Sequence, residues 1–188
     1  MTESEQRLLT LLANISYHYS PTPSFRLASG RMSQFYIDCK TTTLTPEGLV
    51  LTGEVIYERI KGCNLQGVGG LEFGAIPLAL ATSIHAFRQG VSLQPFVVRK
   101  QAKERGLKKA IEGQIEEGAR VVVLEDVVTT GGSSLTAVER LREARIEVDH
   151  ILAMVDRDEG GKESILRAGL RLESIFTLDD LINVLQDQ

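Results

Sequence analysis

Val121-Val122-Val123-Leu124-Glu125-Asp126-Val127-Val128-Thr129-Thr130-Gly131-Gly132-Ser133 is the stretch that decides how this chain folds. Four apolar residues in succession read as a strand buried on both faces, the pattern of a parallel sheet. Two carboxylates then stand at the strand's carboxyl end, where open α/β sheets bind their ligands. The small residues from Thr129 to Ser133 read as a turn that opens an amphipathic helix, and the N–H groups of a helix start favour a phosphate monoester. Acids beside a phosphate seat make sense for a ligand that carries both hydroxyls and a phosphate. A ribose 5-phosphate meets that description: Glu125 and Asp126 accept from the hydroxyls while the turn holds the phosphate. The plainer reading is an ordinary strand-turn-helix whose helix is capped by Ser133 or Thr130. The stretch is neither a G-x-x-x-x-G-K-[ST] loop nor a G-x-G-x-x-G fingerprint, so it does not point to triphosphates or dinucleotides.

Outward from this stretch, strands and helices alternate. Strands are predicted at 66–70, 93–98, 120–125 and 147–155, with helices at 75–88 and 132–144 between them. A short helix at 162–167, a strand at 170–176 and a helix from Leu178 complete the series. Upstream, Leu8, Leu11, Leu12 and Ile15 share one face of a helix predicted over 4–17. Pro21 and Pro23 bar its continuation, and short strands are expected near 25–27 and 34–38. Thr45 with Pro46 marks the start of a helix reaching about Ile60. Such alternation predicts an α/β fold, a parallel sheet flanked by helices. One domain over 1–188 is expected, with about residues 1–40 forming a small N-terminal hood over the ligand edge.

Composition narrows the function classes. At 188 residues, 43% apolar and 24% charged, the chain reads as an ordinary globular domain. A chain this long buries roughly 70% of its unfolded surface. A net charge of −4 argues against nucleic acid as a partner. Cys39 and Cys63 lack metal-ligand spacing and read as reduced thiols; His18, His85 and His150 are scattered. No run of about 18 apolar residues exists, so no membrane span is expected. The acidic, polar start Met1-Thr2-Glu3-Ser4-Glu5 is unlike a signal peptide, and a cytoplasmic location is the expectation.

Against that negative charge, Arg99-Lys100-Gln101-Ala102-Lys103-Glu104-Arg105-Gly106-Leu107-Lys108-Lys109 stands out, continuing to Gly113. A segment of this length without an apolar stripe is usually a lid or binding loop. A solvated charged helix or a nucleic-acid patch is the alternative. Position favours the first: the loop leaves a sheet that carries a phosphate seat, and its cations could neutralise a pyrophosphate leaving group.

The thirteen residues from Val121 to Ser133 resemble the signature of the type I phosphoribosyltransferases, which bind phosphoribosyl pyrophosphate (PRPP). Val98-Arg99-Lys100-Gln101-Ala102-Lys103-Glu104 looks like the catalytic loop of the orotate phosphoribosyltransferases within that group. Phe25-Arg26-Leu27-Ala28-Ser29-Gly30-Arg31 with Tyr36 is similar to their N-terminal segment, and Val155-Asp156-Arg157 to their late strand ending in arginine. The resemblance implies transfer of the phosphoribosyl group from PRPP to orotate, giving orotidine 5′-monophosphate and pyrophosphate in pyrimidine biosynthesis. It implies PRPP contacts from Arg99, Lys100, Lys103 and Arg105. It implies further contacts from Glu125, Asp126, Val127, Val128, Thr129, Thr130, Gly131, Gly132 and Ser133. Lys103 would be the catalytic residue, and Thr129 with Arg157 would bind orotate. Mg²⁺ would arrive held mainly by PRPP rather than by protein ligands. A homodimer is implied, with loop 99–113 reaching the neighbouring subunit's site.

The chain also departs from that group. Arg105 replaces a usual histidine, Ala28 stands where several relatives carry lysine, and Phe73-Gly74 replaces a Tyr-Lys pair. The run Gly69-Gly70-Leu71-Glu72-Phe73-Gly74 is expected to be a turn offering backbone N–H groups to pyrophosphate. Two other functions share the signature: a phosphoribosyltransferase for a different base, and a non-catalytic nucleotide-sensing regulator.

Overall fold

The computed structural model describes residues 1–26, 30, 32–101 and 110–186. Helix α1 (Glu3–Leu11) begins at a capping box in which the Thr2 hydroxyl accepts from the Glu5 N–H and the Glu5 carboxylate accepts from the Thr2 N–H. Caps of this kind are worth about 1 kcal/mol. The helix then widens into one π-helical turn, Leu12–Ser16, and leaves as strand β1 (Tyr17–Tyr19). The helix predicted over 4–17 is thus helical as far as Ser16, with a π-helical last turn. Ser16 is buried and shares hydrogen bonds with Thr42 and Thr41 at 2.7 and 3.0 Å, while Ile15, expected on the apolar face, is exposed.

Short strands β2 (Phe25–Arg26) and β3 (Met32–Ser33) pair with each other, and β4 (Phe35–Ile37) pairs with β1. Tyr17 stacks on Phe35 within the β1–β4 pair, and Phe25 stacked on Tyr36 joins that pair to β2–β3. These pieces occupy the stretch expected to form the hood. α1, by contrast, packs into the core with the helices below. A four-residue helix α2 (Lys40–Thr43) follows, then α3 (Pro46–Ile60), opened by Thr45 accepting from the Gly48 N–H.

The remaining elements are β5 (Gly67–Leu71), α4 (Ala75–Arg88), β6 (Gln94–Val98), β7 (Ile111–Gly113), β8 (Arg120–Val128), α5 (Gly132–Glu143), β9 (Glu147–Asp156), α6 (Gly161–Arg167), β10 (Leu172–Thr177) and α7 (Leu178–Gln186). They build one six-stranded sheet ordered β10-β9-β8-β5-β6-β7, parallel except for β7 at its edge. Along β8 and β9 the side chains alternate between two layers, as a period of two requires. Val122, Leu124, Leu152 and Met154 pack with α1, α3, α4 and α7. Val121, Val123, Ile151 and Ala153 pack with α5 and α6. The expected parallel sheet flanked by helices is the observed architecture.

Three boundaries differ from expectation. β8 does not end at 125: Val127 pairs with Val155 and Val128 with Asp156, so the acidic pair lies within the strand's last turn of pleat. Gly69 and Gly70 belong to β5, not to a turn. A Cβ at Gly69 would lie 2.1 Å from the Phe96 carbonyl oxygen, and one at Gly70 2.1 Å from that of Leu124. The glycines let neighbouring backbones close in. The basic loop is also shorter than 99–113, because Ile111–Gly113 returns as β7 on β6 and covers the sheet edge.

Candidate active site

The carboxyl ends of β5, β8 and β9 point to one side of the sheet, and the hood and α2 stand beside them. Between them lies a cleft of about 410 Å³. Arg26, Tyr36 and Lys40 line it from the N-terminal side, Glu72 and Gly74 from the turn after β5, and Glu125, Asp126, Thr129, Ser133, Lys100 and Arg157 from the sheet ends. A smaller recess of about 220 Å³ adjoins it, bounded by Glu125 and by residues 127–134.

That recess is the start of α5. Gly131 sits in the left-handed region at φ +82°, which turns the chain from β8 into the helix. No side chain caps this end. The plainer reading, a helix capped by Ser133 or Thr130, therefore fails. The first-turn N–H groups face the recess instead, and this end of the helix dipole favours an anion. Gly161 of α6 closes the far side: its Cβ would meet the Val128 Cγ1 at 2.4 Å and the Thr129 carbonyl oxygen at 2.7 Å. The Val128 side chain is itself core, so that residue can offer a ligand only its backbone.

The two acids have different surroundings. Glu125 is buried and its carboxyl accepts from the Ser134 hydroxyl at 2.7 Å. Burial pushes its pKa up to about 8, with the Asp126 carboxylate adding to the rise and Ser134 opposing it. At neutral pH Glu125 is therefore protonated and can donate as well as accept. Asp126 is more open. Its Oδ2 lies 3.7 Å from Lys40 Nζ, its Oδ1 accepts from the Val127 N–H at 3.0 Å, and Lys40 also bonds Asp38 at 2.5 Å. A Cβ at position 74 would fall 2.3 Å from Asp126 Cγ. The carboxylate fills the space that a side chain there would need, which accounts for Gly74.

Glu125 also sets a pH dependence. Its folded pKa lies above its ordinary value of 4.5, so the folded form holds the proton more tightly. Its stabilising contribution is then complete below about 4.5 and lost as pH rises towards about 8. Thermal unfolding of the ligand-free protein should show Tm falling across that window. Glu125→Gln, which keeps an acceptor for Ser134, should flatten the fall; an unchanged slope would show that Glu125 ionises freely.

Arg157 follows β9 and is buried. Its Nη2 donates to the Ser33 hydroxyl at 3.2 Å and pairs with Glu159 at 2.7 Å, while its Nε has no hydrogen-bond partner among the described residues. A buried guanidinium with an unused N–H beside a cleft suits a planar carboxylate.

Of the residues the sequence singled out, Glu125 to Ser133, Lys100 and Arg157 converge on the cleft and its recess. Arg99 does not: its guanidinium lies along the β6–β7 edge, 3.5 Å from Glu112 and bonded to the Gln101 carbonyl. Lys103, Arg105 and Ala28 lie outside the described residues. Lys40, Glu72 and Ser134 went unnoticed in the sequence. Only Ser134, three residues past Gly131 at the helix start, carried a signal there.

No protein-family model matches the chain. It is 44% identical over 177 residues to the orotate phosphoribosyltransferase of Aquifex aeolicus, covering 94% of this chain and 97% of that protein. The Mycobacterium tuberculosis orotate phosphoribosyltransferase in complex with Fe(III) dicitrate superposes with a TM-score of 0.82 at 36% identity, over 95% of this chain and 98% of that one. The same M. tuberculosis enzyme in complex with PRPP superposes at 0.78 with 34% identity, over 95% and 98% of the two chains.

Proposed function

This chain belongs to the orotate phosphoribosyltransferase family, and from that premise we propose how its residues do the work. The enzyme transfers the 5-phosphoribosyl group from PRPP to orotate, giving orotidine 5′-monophosphate and pyrophosphate in pyrimidine biosynthesis. The observation that carries the site assignment is the uncapped start of α5 beside the acidic pair. The amides from Thr129 to Ser133 hold the 5-phosphate. Asp126 accepts from a ribose hydroxyl, and protonated Glu125 exchanges hydrogen bonds with the other. Thr129 and Arg157 face orotate, the guanidinium pairing with its carboxylate.

Positive charge then develops at the anomeric carbon as the bond to pyrophosphate breaks, much as in glycoside cleavage. No protein nucleophile is needed for direct displacement. Catalysis rests on alignment of the two substrates and on fixed charge around the departing pyrophosphate. Lys100 reaches the cleft; Lys103 and Arg105 are assigned to the same task from the sequence alone. Mg²⁺ is assigned to PRPP and its waters. The donor set fits that arrangement, because Asp126 already has Lys40 beside it and Glu125 is occupied by Ser134. The ion would offset the pyrophosphate's charge.

We also assign a homodimer. The outer face of α3 and α4, with Leu44 and Phe73 just before them, exposes Leu44, Val50, Phe73, Leu80 and Ile84 around an apolar groove of about 450 Å³, which half-buried Ile76 also lines. Phe73 borders both this groove and the cleft, so a second copy seated there would stand at the mouth of the site. A cytoplasmic location is part of the same reading, supported by free thiols at Cys39 and Cys63.

Loss of orotate absorbance on adding PRPP and Mg²⁺ tests the function, with uracil, adenine and hypoxanthine as competing bases. Turnover of another base in preference to orotate would overturn it. If the basic loop serves its neighbour, two differently inactivated variants should regain activity when mixed. No recovery under conditions that demonstrably exchange subunits would refute the shared site.

A further inference from the structure

We infer that Glu72 and Arg140 are positioning residues that clamp the Lys100 peptide and so keep the Lys100 ammonium in the cleft. The Arg99 N–H donates to the Ala110 carbonyl at 2.9 Å, the last rung that continues the β6–β7 ladder. Lys100 is the first residue beyond that rung, and its peptide groups have no strand partner among the described residues. Side chains take them instead. The Glu72 carboxylate accepts from the Lys100 N–H at 2.8 Å, and Arg140 Nη2 donates to the Lys100 carbonyl at 2.7 Å. One clamp arm follows β5, the parallel neighbour of β6, and the other comes from helix α5, so Lys100 is held from the sheet and from the helix layer.

Both arms carry full charge, which makes such bonds stronger than neutral ones. Each also sits where another role is hard to see. Glu72 lines a cleft assigned to a polyanion, where a free carboxylate would repel the ligand. Bonded to the amide, it fixes a residue whose ammonium attracts it. Arg140 holds its guanidinium partly buried, its Nη1 enclosed with no partner among the described residues. A solvated arginine would satisfy that group with water, so the enclosure is explained by what Nη2 holds.

This inference rests on reading Lys100 as a PRPP contact, and the experiment separates the two. Glu72→Ala, Glu72→Gln and Arg140→Met are compared in the full-length enzyme, alone and combined with Lys100→Ala. The readouts are KM for each substrate, kcat, and the rate of tryptic cleavage of the Lys100–Gln101 bond by mass spectrometry. Glu72→Ala and Arg140→Met should each raise the PRPP KM on the order of tenfold, the effect of loosening one charge-assisted contact. Orotate KM should stay within about twofold, and cleavage after Lys100 should accelerate. Glu72→Gln, which keeps an acceptor, should stay close to wild type. Neither Glu72→Ala nor Arg140→Met should add to Lys100→Ala. Should Arg140→Met fail to fold, the half-exposed Glu72 still decides the matter. Unchanged cleavage, or full additivity with Lys100→Ala, overturns the clamp. Faster cleavage in the variants that keep Lys100, with the PRPP KM unchanged in them and in Lys100→Ala, supports the clamp and removes Lys100 from PRPP binding.

Discussion

Lys103→Ala is expected to lower kcat on the order of 10²–10³-fold, the scale of losing one preorganised donor to charge that develops in the transition state. The departing pyrophosphate gains charge as the glycosidic bond lengthens, and a cation that meets it only then lowers the barrier without tightening the ground state. kcat should therefore fall far more than either KM rises. The other loop cations cannot easily substitute. Arg99 is engaged with Glu112, and Lys100 is held at the loop's root by Glu72 and Arg140. Arg105 keeps its charge at all working pH values, so a histidine-like proton donor at that position is absent. Steady-state kinetics with both substrates saturating would check this. A decrease below about threefold would remove Lys103 from the mechanism.

Arg157→Met should raise the orotate KM roughly 10- to 100-fold, the range for charge-assisted hydrogen bonds to a carboxylate. PRPP KM should change little, because Arg157 lines the cleft but not the recess at the start of α5. Arg157→Lys restores the charge but not the fork, and should recover only part of the loss. The Arg157–Glu159 ion pair is lost in the methionine variant, so melting curves should accompany the kinetics. If both substrates weaken together, the arginine supports the cleft as a whole and does not read the base.

Much of this was legible in the sequence because the central strands are long and apolar. β8 and β9 read correctly since a strand covered on both faces cannot hide among polar residues. What misled was the acidic pair, which looked like the end of β8. The ladder continues past it because Val127 and Val128 keep their partners on β9. β5 was legible as a strand over 66–70, but the turn expected from Gly69 starts only beyond Leu71, because those glycines serve close backbone packing. β2 and β4 fall where short strands were expected near 25–27 and 34–38, whereas β1, β3 and β7, two or three residues each, were too short for any periodicity. Lys40 lies on a four-residue helix, and its approach to Asp126 depends on folding that no local pattern encodes. Likewise the difference between Glu125 and Asp126 comes from burial against α5, not from their chemistry.

The glycine-lined strand β5 gives the catalyst a rigid floor. Neighbouring carbonyl oxygens occupy the very volume where side chains would have to grow, so variants at Gly69 or Gly70 are expected to be rejected at folding, before activity is ever tested. Any retuning of this scaffold towards a different acceptor must therefore come from the rim. Arg26, Tyr36 and Lys40, which line the cleft from short pieces outside the main sheet, are the natural targets for a selection experiment.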